Sequence, residues 1–182
     1  MCPPDSYTWD FNAYSGQPTT IQSFGHAESI LIKLSEKLVD AGWTIYADNF
    51  YTSLPLREYM LTNKTYYCGS LQSNCKYIPK DIVNKKLKIG DIVSKQNEKG
   101  VKNFNWKDKR NVLTLSIVPE CTDTVVPTGK KVRSGEEILK PSSVIEYNKA
   151  KKGVDMSDQM LMYHTAPRKK KEVVPKTCHW TN

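Results

Sequence analysis

The stretch Trp43-Thr44-Ile45-Tyr46-Ala47-Asp48-Asn49-Phe50-Tyr51-Thr52-Ser53 sets the reading of the fold. Trp43 to Ala47 is short, apolar and β-branched, the pattern of a buried strand. Asp48 closes it. Ser53 then caps a helix that runs through Leu61, with Pro55 tolerated in its first turn. A carboxylate at the end of a buried strand, ahead of a helix, suits a metal site at the carboxyl edge of an α/β sheet. The plainer role for Asp48 is to accept hydrogen bonds from its own turn, which Asn49 and Ser53 could do equally well.

Upstream, Ala27 to Ala41 carries apolar residues at Ile30, Leu31, Leu34, Leu38 and Val39, a helical spacing stopped by Gly42. Thr8 to Tyr14 alternates large apolar with small or polar residues and reads as a strand ended by Ser15-Gly16. Only Met1-Cys2 precede Pro3-Pro4, so an earlier strand is missing or vestigial. Asn63-Lys64 ends the second helix, and Thr65 to Leu71 reads as another strand. From Gln72 to Lys140 the chain turns lysine-rich and irregular, with short strands expected at Lys88 to Val93 and Asn111 to Val118 and an exposed loop over Pro127 to Gly135. This stretch reads as an insertion, or a small β subdomain, between two parts of one core. The order of strands and helices indicates an α/β layer architecture. The division is 1–71 for the first part of the core, 72–140 for the insertion, 141–167 for a closing core helix and 168–182 for a basic tail.

A second acidic feature lies in Tyr147-Asn148-Lys149-Ala150-Lys151-Lys152-Gly153-Val154-Asp155-Met156-Ser157-Asp158-Gln159-Met160. A helix from Gly153 to Tyr163 would use Val154, Met156, Met160 and Leu161 for its apolar side. It would set Asp155 and Asp158 on one face. Two such carboxylates repel unless a cation lies between them. With a third at a strand end they can hold Mg²⁺ for phosphoryl-transfer chemistry. The alternative is an acidic first turn that complements the helix dipole, worth ~0.3–1 kcal/mol for each acid.

The 182 residues carry a net charge of +8, and the lysines are clumped. Lys85-Lys86-Leu87-Lys88, Lys130-Lys131-Val132-Arg133, Lys149 with Lys151-Lys152, and Arg168-Lys169-Lys170-Lys171 together favour a polyanion, nucleic acid first. Any one clump alone reads as a solvated loop. Lys107, Lys109 and Arg110, like Arg168 and Lys169, are candidates for phosphate contact, with a solvated strand edge as the alternative. Trp43, Tyr46, Phe50 and Tyr51 read as core rather than as base-stacking platforms, and Trp106 as packing. The 5 cysteines include no C-x-x-C pair, and Cys178-His179 lacks a matching half for zinc. Free thiols in a reducing compartment follow. Met1 to Asp5 lacks a basic and an apolar segment, so no secretory signal is expected. No apolar run approaches the ~20 residues of a membrane helix, so no membrane partner is expected.

Four segments resemble piggyBac-type transposases. Asp48 to Leu56 is similar to that family's D-N-[WF]-[FY]-T-S-x-P-L. Tyr147-Asn148-Lys149 with Gly153 to Met160 is similar to Y-N-x-x-K-G-G-V-D-x-x-D-Q-M. Trp106 to Val112 is similar to the W-x-D-[KR]-R-x-V strand of the insertion domain. Tyr7 with Tyr14-Ser15-Gly16-Gln17 is similar to the run after the first core strand. They occur in the family's order and cover nearly the whole chain. The resemblance implies an RNase H-like core interrupted by a small β-rich insertion. It implies DNA as partner, a nuclear location, a possible homodimer, and acids holding two Mg²⁺ (or Mn²⁺) ions for DNA cleavage and strand transfer. Asp48 matches the second catalytic aspartate, Asp155 the third and Asp158 a further acid.

The first acid departs from the pattern. It should follow a cysteine directly at the end of the first strand, but here Cys2 is followed by Pro3-Pro4 and Asp5 stands two residues late. Pro-Pro cannot continue the ladder of a central strand. Lys152 stands where the family has glycine. The family's dimerisation region and its Cys-rich zinc module have no counterpart here. The expectation is a transposase-derived domain without activity. The alternatives are an active endonuclease with Asp5 as first ligand and a non-enzymatic DNA-binding module.

Overall fold

The computed structural model describes residues 8–13, 16, 20–21, 23–75, 78–131, 135 and 137–163. Asp5, Arg168 and Lys169 lie outside these residues. Helix α1 (His26–Ser35) is followed by strand β1 (Thr44–Ala47), helix α2 (Leu54–Thr62) and strand β2 (Tyr66–Leu71). A one-turn helix α3 (Lys80–Val83) leads to strands β3 (Ile92–Gln96), β4 (Lys102–Lys107) and β5 (Asn111–Ser116). The hairpin β6 (Val125–Lys131) and β7 (Glu137–Pro141) then enters the long helix α4 (Ser142–Tyr163).

Five strands make one mixed sheet in the order β1-β2-β5-β4-β3. β1 and β2 are parallel, with Ala47 beside Gly69, and every other neighbour is antiparallel. The ladder runs unbroken from β1 and β2 into the lysine-rich middle of the chain. Strand alternation sends Ile45, Ala47, Tyr67 and Leu115 to one face, where Leu31 and Ile32 of α1 and Leu56 and Met60 of α2 complete the main core. Asn105 on this face donates to the Ile82 carbonyl at 2.8 Å and ties down α3. The opposite face carries Tyr46, Cys68 and Ser70 and is covered by α4, whose Tyr147 hydroxyl lies 3.4 Å from the Ser70 hydroxyl. Helices thus cover both faces, which makes both faces of β1 and β2 largely apolar.

Several expectations are corrected. Residues 8–13 form no strand; the Asp10 carboxylate accepts from the Phe11 amide at 2.7 Å, a local bond that competes with ladder formation. α1 stops at Ser35 because the Ser35 hydroxyl bonds back to the Leu31 and Ile32 carbonyls at 2.8 and 3.2 Å; tight turns follow, with Asp40 at φ 56°. Lys88 to Asp91 is a turn rather than a strand, closed by the Lys88 amide on the Asp91 carboxylate at 2.9 Å. Residues 127–131 belong to β6, not to a loop. α4 begins eleven residues before Gly153. Trp43 and Phe50 are 59% and 62% exposed and are not core. Trp106 is buried, with the Lys140 ammonium 5.9 Å from its ring centre.

Candidate functional site

Asp48 stands at the carboxyl end of β1, exposed, at the mouth of a closed turn. Its carbonyl accepts from the Tyr51 amide at 3.0 Å, the Thr52 amide at 3.1 Å and the Thr52 hydroxyl at 2.9 Å. Its side chain accepts from the Asn49 amide. With its proton given to Asp48, the Thr52 oxygen receives the Tyr67 hydroxyl at 2.9 Å. Burial raises the Tyr67 pKa above the ordinary phenol range, so Tyr67 stays a neutral donor. A Cβ on Gly69 would lie 2.2 Å from the Thr52 hydroxyl oxygen and 3.0 Å from the Tyr67 oxygen. The turn that presents Asp48 therefore needs Gly69 bare. Ser53 then caps α2 by accepting from the Leu56 amide at 3.3 Å.

Asp155 and Asp158 lie in the second half of α4, both exposed. They are more than three turns from its start, which removes the first-turn dipole role. Gly153 and Ser157 face inward, and the Ser157 hydroxyl lies 3.1 Å from the Thr8 hydroxyl. At ~100° per residue the two acids point ~200° and ~140° around the helix from Gly153, away from the side that carries Gly153 and Ser157. Lys151 and Lys152 are exposed one turn earlier.

Tyr147, Val154 and Leu161 are seven residues apart and share one stripe of the helix. Tyr147 sits on the sheet, yet Val154 and Leu161 are 44% and 66% exposed. At ~1.5 Å per residue, the helix after Tyr147 continues for ~24 Å. Past Tyr147 this stripe lies exposed.

The cation fit can be tested on these groups. Mg²⁺ requires a near-octahedral shell of oxygens. Among the described residues no three of His, Cys, Asp and Glu lie close enough together to hold a metal ion.

The strand register does bring Asp48 together with positive charge. Because Leu71 pairs with Leu113, the carboxyl ends of β1 and β2 lie at the same end of the sheet as the β4–β5 turn. That turn carries Lys107, Lys109 and Arg110 and is closed by the Asp108 amide on the Arg110 carbonyl at 3.1 Å. The Gly90 amide donates to the Lys107 carbonyl at 2.7 Å, which draws the Lys88 turn to the same end. Gly90, at φ 93°, allows that turn. Lys85 and Lys86, also exposed, lead into it. Three strand spacings of ~4.8 Å separate β1 from β4, and the register sets Lys107 three residues of ~3.3 Å beyond the level of Asp48, so the basic rim begins ~17 Å from Asp48. Lys85, Lys86 and Lys88 are visible in the sequence as a charge clump. Their place beside Lys107 depends on the register, which the sequence does not display.

A family model described as "Transposase IS4" matches residues 1–180. The chain is also similar to a solved structure, the cryo-EM structure of a piggyBac transposase synaptic complex with hairpin DNA. The identity is 27% and the TM-score 0.71. The match covers 86% of this chain and 32% of the other, so the chain spans about a third of the length of that transposase.

Proposed function

Since the chain belongs to the Transposase IS4 family and is of the piggyBac type, we propose that this transposase-derived domain binds DNA along its basic rim and does not cleave it. The frame in this reading is an RNase H-like core with β1 and β2 as inner strands. The observation that carries the reading is the position of Asp48 at the same sheet end as Lys88, Lys107, Lys109 and Arg110. A phosphate backbone laid across that end meets the cations and passes Asp48. The matched transposase was solved with hairpin DNA, which agrees with this choice of polyanion.

Asp48, Asp155 and Asp158 are the inherited ligand positions for Mg²⁺ or Mn²⁺, and Asp5 is the displaced first position. Bound there, the ions would activate water and stabilise the leaving oxygen at a phosphodiester. In a complete core, a first strand lies beside β1 and beneath the exposed stripe of Val154 and Leu161, and brings its acid between Asp48 and Asp155. Pro3-Pro4 stands in the sequence where that acid is expected, and on this reading the site lacks one acid. This reading calls for a nuclear location.

Fluorescence anisotropy of the full chain on labelled duplex DNA tests the binding. Affinity should fall steeply with salt. No binding at low salt, or binding indifferent to salt, would sink this part. Supercoiled plasmid with Mn²⁺ tests the chemistry: it should stay intact. Nicking that Asp48→Ala abolishes would favour instead the active endonuclease with Asp5 as first ligand.

A further inference from the structure

Cys68 and Cys121 take no part in the DNA reading. Cys68 lies in β2, fully buried on the face covered by α4; Cys121 is buried in the turn after β5. The two pack together with Val118, and Tyr46 closes the cluster. The two thiols and the Ser116 hydroxyl are close enough to perturb one another's ionisation. The backbone holds this arrangement. Cys68 stands opposite Ser116 in the β2–β5 register. The Cys121 amide donates to the Val118 carbonyl at 3.2 Å, and the Lys102 ammonium holds the Pro119 and Cys121 carbonyls at 3.0 and 3.1 Å.

We infer that Cys68 and Cys121 form a dithiol that a peroxide oxidises to an intramolecular disulfide. Cys121 is the attacking sulfur. The neighbouring Cys68 thiol, the Ser116 hydroxyl and the Lys102 charge favour its anion. Its pKa is drawn down to about 6 against the opposing effect of burial. The Cys68 pKa is raised by its interaction with Cys121 and by burial, so Cys68 keeps its proton. The Cys121 thiolate attacks one peroxide oxygen, the O–O bond breaks, and the departing hydroxide takes up a proton as water. The resulting sulfenic acid is attacked by the Cys68 sulfur. The S–O bond breaks, and the second hydroxide leaves as water with the Cys68 proton. Two thiols are oxidised to one disulfide while one peroxide is reduced to two waters. The bond joins β2 to the turn that leads toward β6. Cys68 lies beside Tyr46, two residues ahead of Asp48, so oxidation fixes the strand end that presents the candidate acid.

Cys75, free and half-buried beyond β2, is an internal reference. The intact chain is treated with hydrogen peroxide, blocked with a thiol alkylator and digested without reductant. The expected product is a Cys68–Cys121 cross-linked peptide. It should vanish with dithiothreitol and in Cys121→Ser, and persist in Cys75→Ser. Cys121 should also alkylate with a pH midpoint below the ordinary thiol range. A cross-link that pairs either residue with another cysteine would overturn the inference. So would peroxide that oxidises Cys75 while Cys68 and Cys121 both stay fully alkylatable after unfolding. The wild-type chain carries the readout, so poor folding of a serine variant does not remove the test.

Discussion

Gly69 approaches Thr52 so closely that a Cβ on the glycine would stand 2.2 Å from the threonine hydroxyl oxygen. That oxygen joins the Asp48 carbonyl to the Tyr67 hydroxyl. One glycine in β2 thus sets the turn at the end of β1, two strands being locked by a contact that only hydrogen can make. Gly69→Ala should displace the turn and cost about 1–3 kcal/mol, the usual range for overpacking. Thr52→Val should cost a similar amount, because the Tyr67 hydroxyl and the Asp48 carbonyl both lose a buried partner. Urea unfolding of the two variants measures both. A Gly69→Ala variant as stable as the parent would mean that the turn relaxes without strain.

Asp155 and Asp158 are exposed and more than three turns from the start of α4. Replacing either with Asn should change stability by less than ~0.5 kcal/mol, as for other surface positions without special contacts. Asp48→Asn keeps the carbonyl bonds of its turn and should cost little more. The same three variants read out cation affinity separately from folding. A rise in melting temperature with Mn²⁺ that each variant reduces would mark the three acids as a shared ligand set. An unchanged rise would place the cation elsewhere.

The sequence reveals the parts of the site that depend on local chemistry. Strand β1 is legible from its β-branched run, and the start of α2 from Ser53 and Pro55. Asp48 at a strand end follows from both. The helix containing Asp155 and Asp158 is also legible, but its start is not. Its first half, Ser142 to Lys152, is rich in Lys and polar residues, and its apolar contacts come from Val144, Tyr147 and small residues. Tertiary packing on the sheet, rather than apolar periodicity, extends it. The register that carries Lys107 and Lys88 to the Asp48 end is a long-range property of β2 and β5. No local pattern encodes it. Residues 8–13 mislead for the same reason: their alternation suits a strand, and the chain offers them no strand partner among the described residues.

The basic rim makes a prediction that separates position from mere charge. Lys107→Ala, Lys109→Ala and Arg110→Ala should each weaken DNA binding across sequences and lower the salt slope by about one per lost phosphate contact. Lys37→Ala is the control. It removes the same charge at the opposite end of the sheet, in the turns that lead into β1. Salt titrations of anisotropy measure all four. Equal losses from Lys37 and Arg110 would mean that affinity follows net charge alone and that the rim has no special place.

Alkaline pH should unfold the domain through its buried tyrosines. Burial pushes the Tyr46 pKa up to about 12, with the Cys68 and Cys121 sulfurs adding to the rise. Burial also raises Tyr67, against a smaller opposing effect from its bond with Thr52. Unfolded, both phenols titrate near 10.0. Above that pH the unfolded chain releases protons that the folded chain retains, so stability falls as pH rises. The contribution is complete below pH 10 and is lost through about pH 12 for Tyr46, and at higher pH for Tyr67. Tyr67→Phe should flatten the fall, at the expense of about 1 kcal/mol at neutral pH from the lost Thr52 bond. Tyr46→Phe should flatten it with little change at neutral pH. Urea midpoints followed from neutral to about pH 11 decide the matter. A fall equally steep in the Tyr46→Phe, Tyr67→Phe double variant would assign alkaline unfolding to other groups.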